Sequence, residues 1–208
     1  MVATRTAGHA QLSGSDFWQA VHDDERLALH AALYTWPAGQ IRAGLVLDLG
    51  SEYGFGSLLI SETNPSLQVL GMDLDTAGLR YSRNVSGKKK ISRVNGDACR
   101  LPVVTETFTG IYLIHLLHLV DDPDQVLTEA LRVLKPRGVA IVGAPQDGSG
   151  HAGSQAAQQA DVLKSELSEH FSEVLYPDEI LGELPSFMPQ AFRLDGQASA
   201  WLAICRKS

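Results

Sequence analysis

Two histidines and three aspartates carry the chemistry that is most legible in this 208-residue chain. His115 and His118 directly follow the apolar run Ile111-Tyr112-Leu113-Ile114. An imidazole titrates near neutrality, so either ring could take a proton from a reacting group. If the segment begins a helix, their spacing of three puts both rings on a similar face. Asp48 closes a second apolar run, Leu45-Val46-Leu47, and opens a turn containing Gly50, Gly54 and Gly56. Asp73 closes a third run, Gln68-Val69-Leu70-Gly71-Met72, about twenty residues beyond the glycine turn. A carboxylate placed there can accept hydrogen bonds from both hydroxyls of a ribose. Asp97 follows Ile91-Ser92-Arg93-Val94 within Asn95-Gly96-Asp97-Ala98, a segment that in most proteins reads as an ordinary turn.

The elements that must position these residues follow from pattern. The run into Asp48, the glycines and the apolar-rich Ser57-Leu58-Leu59-Ile60 predict a strand, a tight turn and a helix from Phe55 to Glu62, stopped near Asn64-Pro65. The spacing Gly50-x3-Gly54-x-Gly56 does not fit the G-x-G-x-x-G fingerprint of dinucleotide binders. Further strands are expected at Gln68–Met72, Ile91–Val94, Ile111–Ile114, Val139–Gly143, around Glu173–Tyr176 and near Ala200–Cys205. Helices are expected from Ser15 or Asp16 to about Leu33, from Thr76 to Asn84 with Asp75 as cap, from Pro123 to Leu134 with Asp122 as cap, and from Ser154 to about His170. Residues 1–14 read as a mobile arm, Ala144–Gly153 and Gly182–Gln190 as loops. Strands alternating with helices predict one α/β domain, Rossmann-like and doubly wound, with a mainly parallel sheet covered by helices on both faces.

Composition narrows the function classes. An apolar fraction of 44% and a charged fraction of 20% are those of a globular protein. A formal charge of −7 and one short basic run, Lys88-Lys89-Lys90, argue against a nucleic-acid partner. The longest strongly apolar run, Ile111–Val120, contains two histidines and is shorter than the ~20 residues of a spanning helix, so no membrane partner is expected. Residues 1–11 lack the pattern of a secretion signal. Cys99 and Cys205 follow no metal-ligand spacing and read as reduced thiols. The expected compartment is the cytoplasm and the expected metal content is none.

With these segments in hand, the chain resembles the class I S-adenosylmethionine-dependent methyltransferases, particularly the small-molecule ones. The family's acidic-x-Gly-x-Gly-x-Gly turn falls on Asp48, Gly50, Glu52 and Gly54, with Glu52 in place of a glycine. The Asp73-Leu74-Asp75 segment resembles the family's ribose-binding stretch, and Gly96-Asp97-Ala98 its adenine-binding stretch. Arg132-Val133-Leu134-Lys135-Pro136-x-Gly138 is a further, structural match. A second departure precedes the fourth strand, where Phe108 is followed by Thr109 and Gly110 and the usual acidic residue is absent. The resemblance covers about residues 44–143. It implies S-adenosylmethionine as cofactor, with Asp48, Gly50, Ser51, Glu52, Gly54, Asp73, Leu74, Asp97, Ala98 and Ile114 as its binding positions. It implies methyl transfer to a small-molecule acceptor by in-line displacement, with an N-terminal helical cap over 15–40 and residues 144–208 on the acceptor side.

His115 and His118 are then the candidate catalytic bases. The alternatives are that His115 packs against the cofactor and that His118 satisfies a backbone carbonyl. His9, His22, His30, His151 and His170 rank below them. For Trp18, Tyr34 and Trp36 in the N-terminal segment, the acceptor pocket and the plain sealing of the sheet edge are both open. Glu52 could crowd the ligand, approach its ammonium group or point to solvent. Two other readings remain: a non-catalytic relative that binds another protein, and a protein that binds S-adenosylmethionine for chemistry other than methyl transfer. A homodimer is compatible with either.

Overall fold

Apolar runs with little polar interruption belong to strands buried on both faces. In the computed structural model, which describes residues 25–86, 91–145, 162, 164–176 and 200–208, they form one sheet. Its strands are β1 (Gly44–Leu49), β2 (Leu67–Asp73), β3 (Ile91–Asn95), β4 (Phe108–Ile114), β5 (Leu134–Pro145), β6 (Glu173–Leu175) and β7 (Ala200–Arg206). The spatial order is β3-β2-β1-β4-β5-β7-β6. The first five in that order are parallel, and β7 runs antiparallel between β5 and β6. The mainly parallel, doubly wound architecture expected from the sequence is the one observed. Chain order reverses between β1 and β4, which makes the carboxyl ends of those two strands the natural ligand crevice.

Alternation along the strands divides the core in two. Leu47, Leu49, Ile111 and Leu113 face one side and pack with Val126, Leu127 and Ala130 of α4 (Pro123–Val133) and with Leu167 and Phe171. Val46, Tyr112 and Ile114 face the other and pack with Leu33 and Tyr34 of α1 (Glu25–Thr35) and with Leu58 and Leu59 of α2 (Phe55–Thr63).

The helix signals act as their chemistry predicts. Asp75 caps α3 (Thr76–Ser86), its carboxylate accepting the N–H groups of Ala77 at 2.8 Å and Gly78 at 3.1 Å. Asp122 caps α4, accepting the N–H of Gln125 at 3.0 Å, with Pro123 in the first turn. Most boundaries lie within two residues of expectation, with β5 reaching Pro145 where Ala144 was expected to open a loop. Helix α1 continues past Leu33 through Tyr34 and Thr35, and a short 3-10 turn, Trp36–Gln40, follows. Strand β4 begins at Phe108, because Phe108 pairs with Leu134. For the same reason α4 stops at Val133 and β5 starts at Leu134, before the predicted turn. The register then jumps from Phe108↔Leu134 to Gly110↔Val139, so the Lys135-Pro136-Arg137 stretch bulges out of the strand, with Arg137 at φ 59°. The N-terminal arm, the start of the first helix, the loop beyond Pro145, the Ser154 cap and the Gly182–Gln190 loop lie outside the described residues.

The segment between β3 and β4 has no regular structure and is held from α4 instead. The buried Glu129 carboxylate accepts the Leu101 N–H at 2.7 Å and is gripped by Arg132 at 2.6 and 2.8 Å. Arg132 also donates to the carbonyls of Val103 at 2.9 Å and Leu101 at 3.1 Å, and Gln125 donates to that of Cys99 at 3.1 Å. This is the structural role of the arginine in the Arg-Val-Leu-Lys-Pro motif. The Arg132 bonds hold the Glu129 carboxyl below its ordinary value of 4.5, so its stabilisation is present at neutral pH and lost as pH falls below that value. Glu129→Ala is expected to cost about 2 kcal/mol in urea denaturation at pH 7. The difference from the parent should shrink below pH 4.5; a difference of unchanged size at low pH would show that the bonds to the ionised form do not matter.

Candidate functional site

The turn after β1 is built to keep backbone amides and a carboxylate close together. Gly50 and Gly54 adopt φ of 80° and 81°, in the left-handed region that a side chain disfavours. A Cβ at Gly54 would also lie 2.7 Å from the Cβ of Ser82. Gly50 and Ser51 donate their N–H groups to the Met72 carbonyl at 2.9 and 3.0 Å, which ties the turn to the end of β2. Glu52 takes φ 43°, the left-handed conformation that the turn requires at this position, and the residue is exposed. Its N–H donates to Asp73 Oδ2 at 2.8 Å. The other oxygen of Asp73 accepts the Asp75 N–H at 2.8 Å. One half-buried carboxylate thus fastens the glycine turn to the loop after β2 and keeps lone pairs for a further donor.

Asp48 lies beneath this turn and is 1% exposed. Its Oδ2 accepts the Ser57 hydroxyl at 2.6 Å, while Oδ1 is buried with no hydrogen-bond partner. Burial pushes the carboxyl up to about 7; the Ser57 bond works against that, and the charges of Asp73 and Glu52 add to it. The Ser51 hydroxyl is likewise buried and unpartnered. Native proteins pair nearly all such groups, so these two atoms mark the place of a donor-bearing, positively charged ligand. S-adenosylmethionine, with an ammonium and a sulfonium, fits them. Among the described residues no group of three His, Cys, Asp or Glu is arranged to hold a metal ion.

The other expected positions spread along the same edge of the sheet. Leu74 is 73% exposed just beyond β2. Asp97 is exposed, its Oδ1 accepting the Cys99 N–H at 2.9 Å, and Ala98 is half-buried against the α4-side core. Ile114 is buried at the end of β4 in the α1-side core.

The histidines depart from expectation. No helix begins at His115; the segment holds only a 3-10 turn, Leu117–Leu119. His115 sits at φ 55° with its N–H donated to the Gly143 carbonyl at 2.7 Å. The rings of His115 and His118 meet edge to face, with centroids 6.1 Å apart. Each has a buried, unpartnered Nδ1. Burial, followed by His30 and His118, pulls His115 down to about 3, and burial lowers His118. Both rings are therefore neutral at pH 7, and His115 is a weak base.

His30, which the sequence ranked low, stacks on His115 at 5.5 Å with an 8° interplanar angle. It also meets Tyr34 edge to face at 5.3 Å, and Tyr34 stacks on Tyr112 at 5.9 Å. Tyr112 was not singled out at all. The available signal was spacing: His30 and Tyr34 are i, i+4 on a helix and so share a face. Nothing local pointed that face at β4. Burial, with Asp48 adding, raises both phenols above their ordinary value, so they remain protonated.

The raised Asp48 carboxyl has a measurable sign. Between its ordinary value of 3.8 and about 7, the unfolded chain has released a proton that the folded protein keeps. Stability of the ligand-free protein should therefore fall as pH rises through that window and level off above it. Asp48→Asn should flatten the slope in thermal denaturation between pH 4 and 8, and an unchanged slope would assign it to another group.

Comparison with known proteins bears directly on this geometry. Residues 47–142 match the model of a methyltransferase domain. A ubiquinone/menaquinone biosynthesis C-methyltransferase of Desulfotalea psychrophila is 37% identical over 101 residues, 49% of this chain and 41% of that protein. A fatty-acid O-methyltransferase of Mycolicibacterium smegmatis is 30% identical over 117 residues, 55% of this chain and 43% of that one. The chain spans less than half the length of these curated relatives. Among solved structures, a SAM-dependent methyltransferase from Aquifex aeolicus superposes with a TM-score of 0.61 at 15% identity, covering 95% of this chain and all of that one. The [4+2]-cyclase SpnF superposes at 0.58 with 20% identity, covering 97% and 85%. At such identities the superpositions establish the fold, while the sequence match covers the segment from β1 to β5. Through that core, residues 47–142, the chain is similar to methyltransferases, and it shares the fold of S-adenosylmethionine-dependent ones.

Proposed function

We propose that this protein transfers the methyl group of S-adenosylmethionine to an oxygen, nitrogen or carbon of a small-molecule acceptor. The observation that carries the reading is the buried Asp48 carboxylate with one oxygen unbonded, set beneath a glycine turn where strand order reverses. Asp48, Gly50, Ser51, Glu52 and Gly54 would hold the amino-acid end of the cofactor, Asp73 and Leu74 its ribose, and Asp97 and Ala98 its adenine, with Ile114 near them at the end of β4. Bound there, the cofactor supplies a methyl group already made electrophilic by its sulfonium.

The chain's own work is to orient the acceptor and receive its proton. Of the two histidines, His118 is the better base, because His115 is held too far below neutrality to compete for a proton. Helix α1, the described part of segment 15–40, brings His30 beside His115 on the proposed acceptor side. The curated relatives named for a C-methylation and an O-methylation support a small-molecule acceptor. Free thiols at Cys99 and Cys205 support a cytoplasmic setting, and no described helix is long and apolar enough to cross a membrane.

Glu52 motivates the competing, non-catalytic reading. Its exposure and left-handed backbone favour the enzyme instead, since the turn keeps its shape without placing the residue in the core. Calorimetric titration with S-adenosylmethionine and with adenosylhomocysteine tests this. Micromolar binding of both, roughly −8 kcal/mol, is the expected result, and no heat from a folded sample would overturn it. Transfer of labelled methyl to a metabolite panel then separates methylation from other uses of the bound cofactor. On whichever acceptor responds, His118→Ala should lower kcat by about a hundredfold while adenosylhomocysteine affinity stays within about twofold of the parent; an unchanged kcat would remove His118 from the chemistry.

A further inference from the structure

The backbone of His115 is pinned by its bond to Gly143 and by its place just after β4, but among the described residues no hydrogen bond holds Nδ1 of its ring. The Nδ1 atom is buried without a partner, so a hydrogen bond at that nitrogen does not set the plane. The ring contacts that do exist are aromatic: His30 lies parallel to it at 5.5 Å, and His118 meets it edge-on at 6.1 Å. Rings at such separations have preferred relative orientations.

His30 is itself held in place. It meets Tyr34 one helical turn later in α1, and Tyr34 stacks on Tyr112 three residues before His115 in β4. The helix and the strand thus share two matched pairs, Tyr34 with Tyr112 and His30 with His115. The close approach is possible because Gly56 of α2 has no Cβ, which would collide with the Tyr34 ring. The row ends at an imidazole with an unsatisfied buried nitrogen, a group that needs a partner from outside the described fold.

We infer that His30 is a positioning residue of the acceptor pocket: by stacking on His115 it fixes the plane in which that ring presents Nδ1 to the acceptor. This rests on the methyltransferase reading for the identity of the ligand, but the stacking itself can be tested without any acceptor. The titratable groups that oppose the positive form of His115 are His30 from α1 and His118 from the 3-10 turn. Tyr34 and Tyr112, farther along the row, stay protonated through burial.

The experiment is an NMR titration of protein carrying 15N-labelled histidine, the His115 signals being assigned by their loss in His115→Gln. Three proteins are compared: the parent, His30→Ala, and His30→Phe, which keeps a flat ring over His115. In the parent, His115 is expected to remain neutral down to pH 4. In His30→Ala its ring signals should shift and its titration midpoint should rise by a unit or more, a tenfold change in proton affinity. In His30→Phe the midpoint should return to within about half a unit of the parent, because burial is the larger cause of the depression. A folded His30→Ala protein with unchanged His115 signals and midpoint overturns the proposal, as does failure of the phenylalanine to restore them. Titration of the same samples with adenosylhomocysteine keeps the two ideas apart: loss of binding in all three, parent included, bears on the methyltransferase reading alone, while the imidazole signals bear on His30.

Discussion

Asp48 holds a carboxylate in the interior with its hydrogen bonds coming from Ser57, the hydroxyl at 2.6 Å, and its second oxygen unbonded. An unpaired charge in such a place costs several kcal/mol, and the group responds by keeping its proton toward neutral pH. The surrounding structure is arranged around that constraint. The turn above Asp48 is tied to the end of β2 through the Met72 carbonyl and the Asp73 carboxylate, which prevents the turn from opening to solvate it. A ligand that brought a positive charge to the unbonded oxygen would relieve that cost and favour release of the proton.

A second constraint comes from the opposite chemistry. On the α1 side of β4, aromatic and imidazole rings are buried closely enough together that His115, His118, Tyr34 and Tyr112 carry no charge at neutral pH. Protonation of His115 is opposed by burial and by two neighbouring imidazoles, and ionisation of Tyr34 and Tyr112 by burial and by Asp48. The crevice therefore joins an acidic end, suited to a cationic cofactor, to a neutral end lined with hydrogen-bonding nitrogens. A neutral imidazole can orient an acceptor without repelling a sulfonium, whereas a protonated one could not.

Substantial parts of this were legible in the chain itself. The helix caps at Asp75 and Asp122 are local interactions of a side chain with amides two or three residues on, so their spacing revealed them. The alternation of apolar runs with amphipathic segments announced the parallel sheet, and three acidic residues at three strand ends announced the crevice. Strand ends read less well. Phe108 and Leu134 extend β4 and β5 only because they pair with each other across the sheet, over a bulge that no local pattern signals. Glu52 was ambiguous for a similar reason, since its left-handed backbone and its exposure follow from the folded turn and not from the residue type.

The sequence by itself determined the order of the elements, the glycine turn and the family that the core resembles, because each depends on residues close together in the chain and on steric rules that act locally. Tertiary structure alone decided which histidine accompanies His115, that Glu52 is exposed and how far Asp48 holds its proton. Those outcomes depend on which faces meet when α1 lies across β4 and on how completely water is excluded there, and both are properties of packed surfaces contributed by distant parts of the chain.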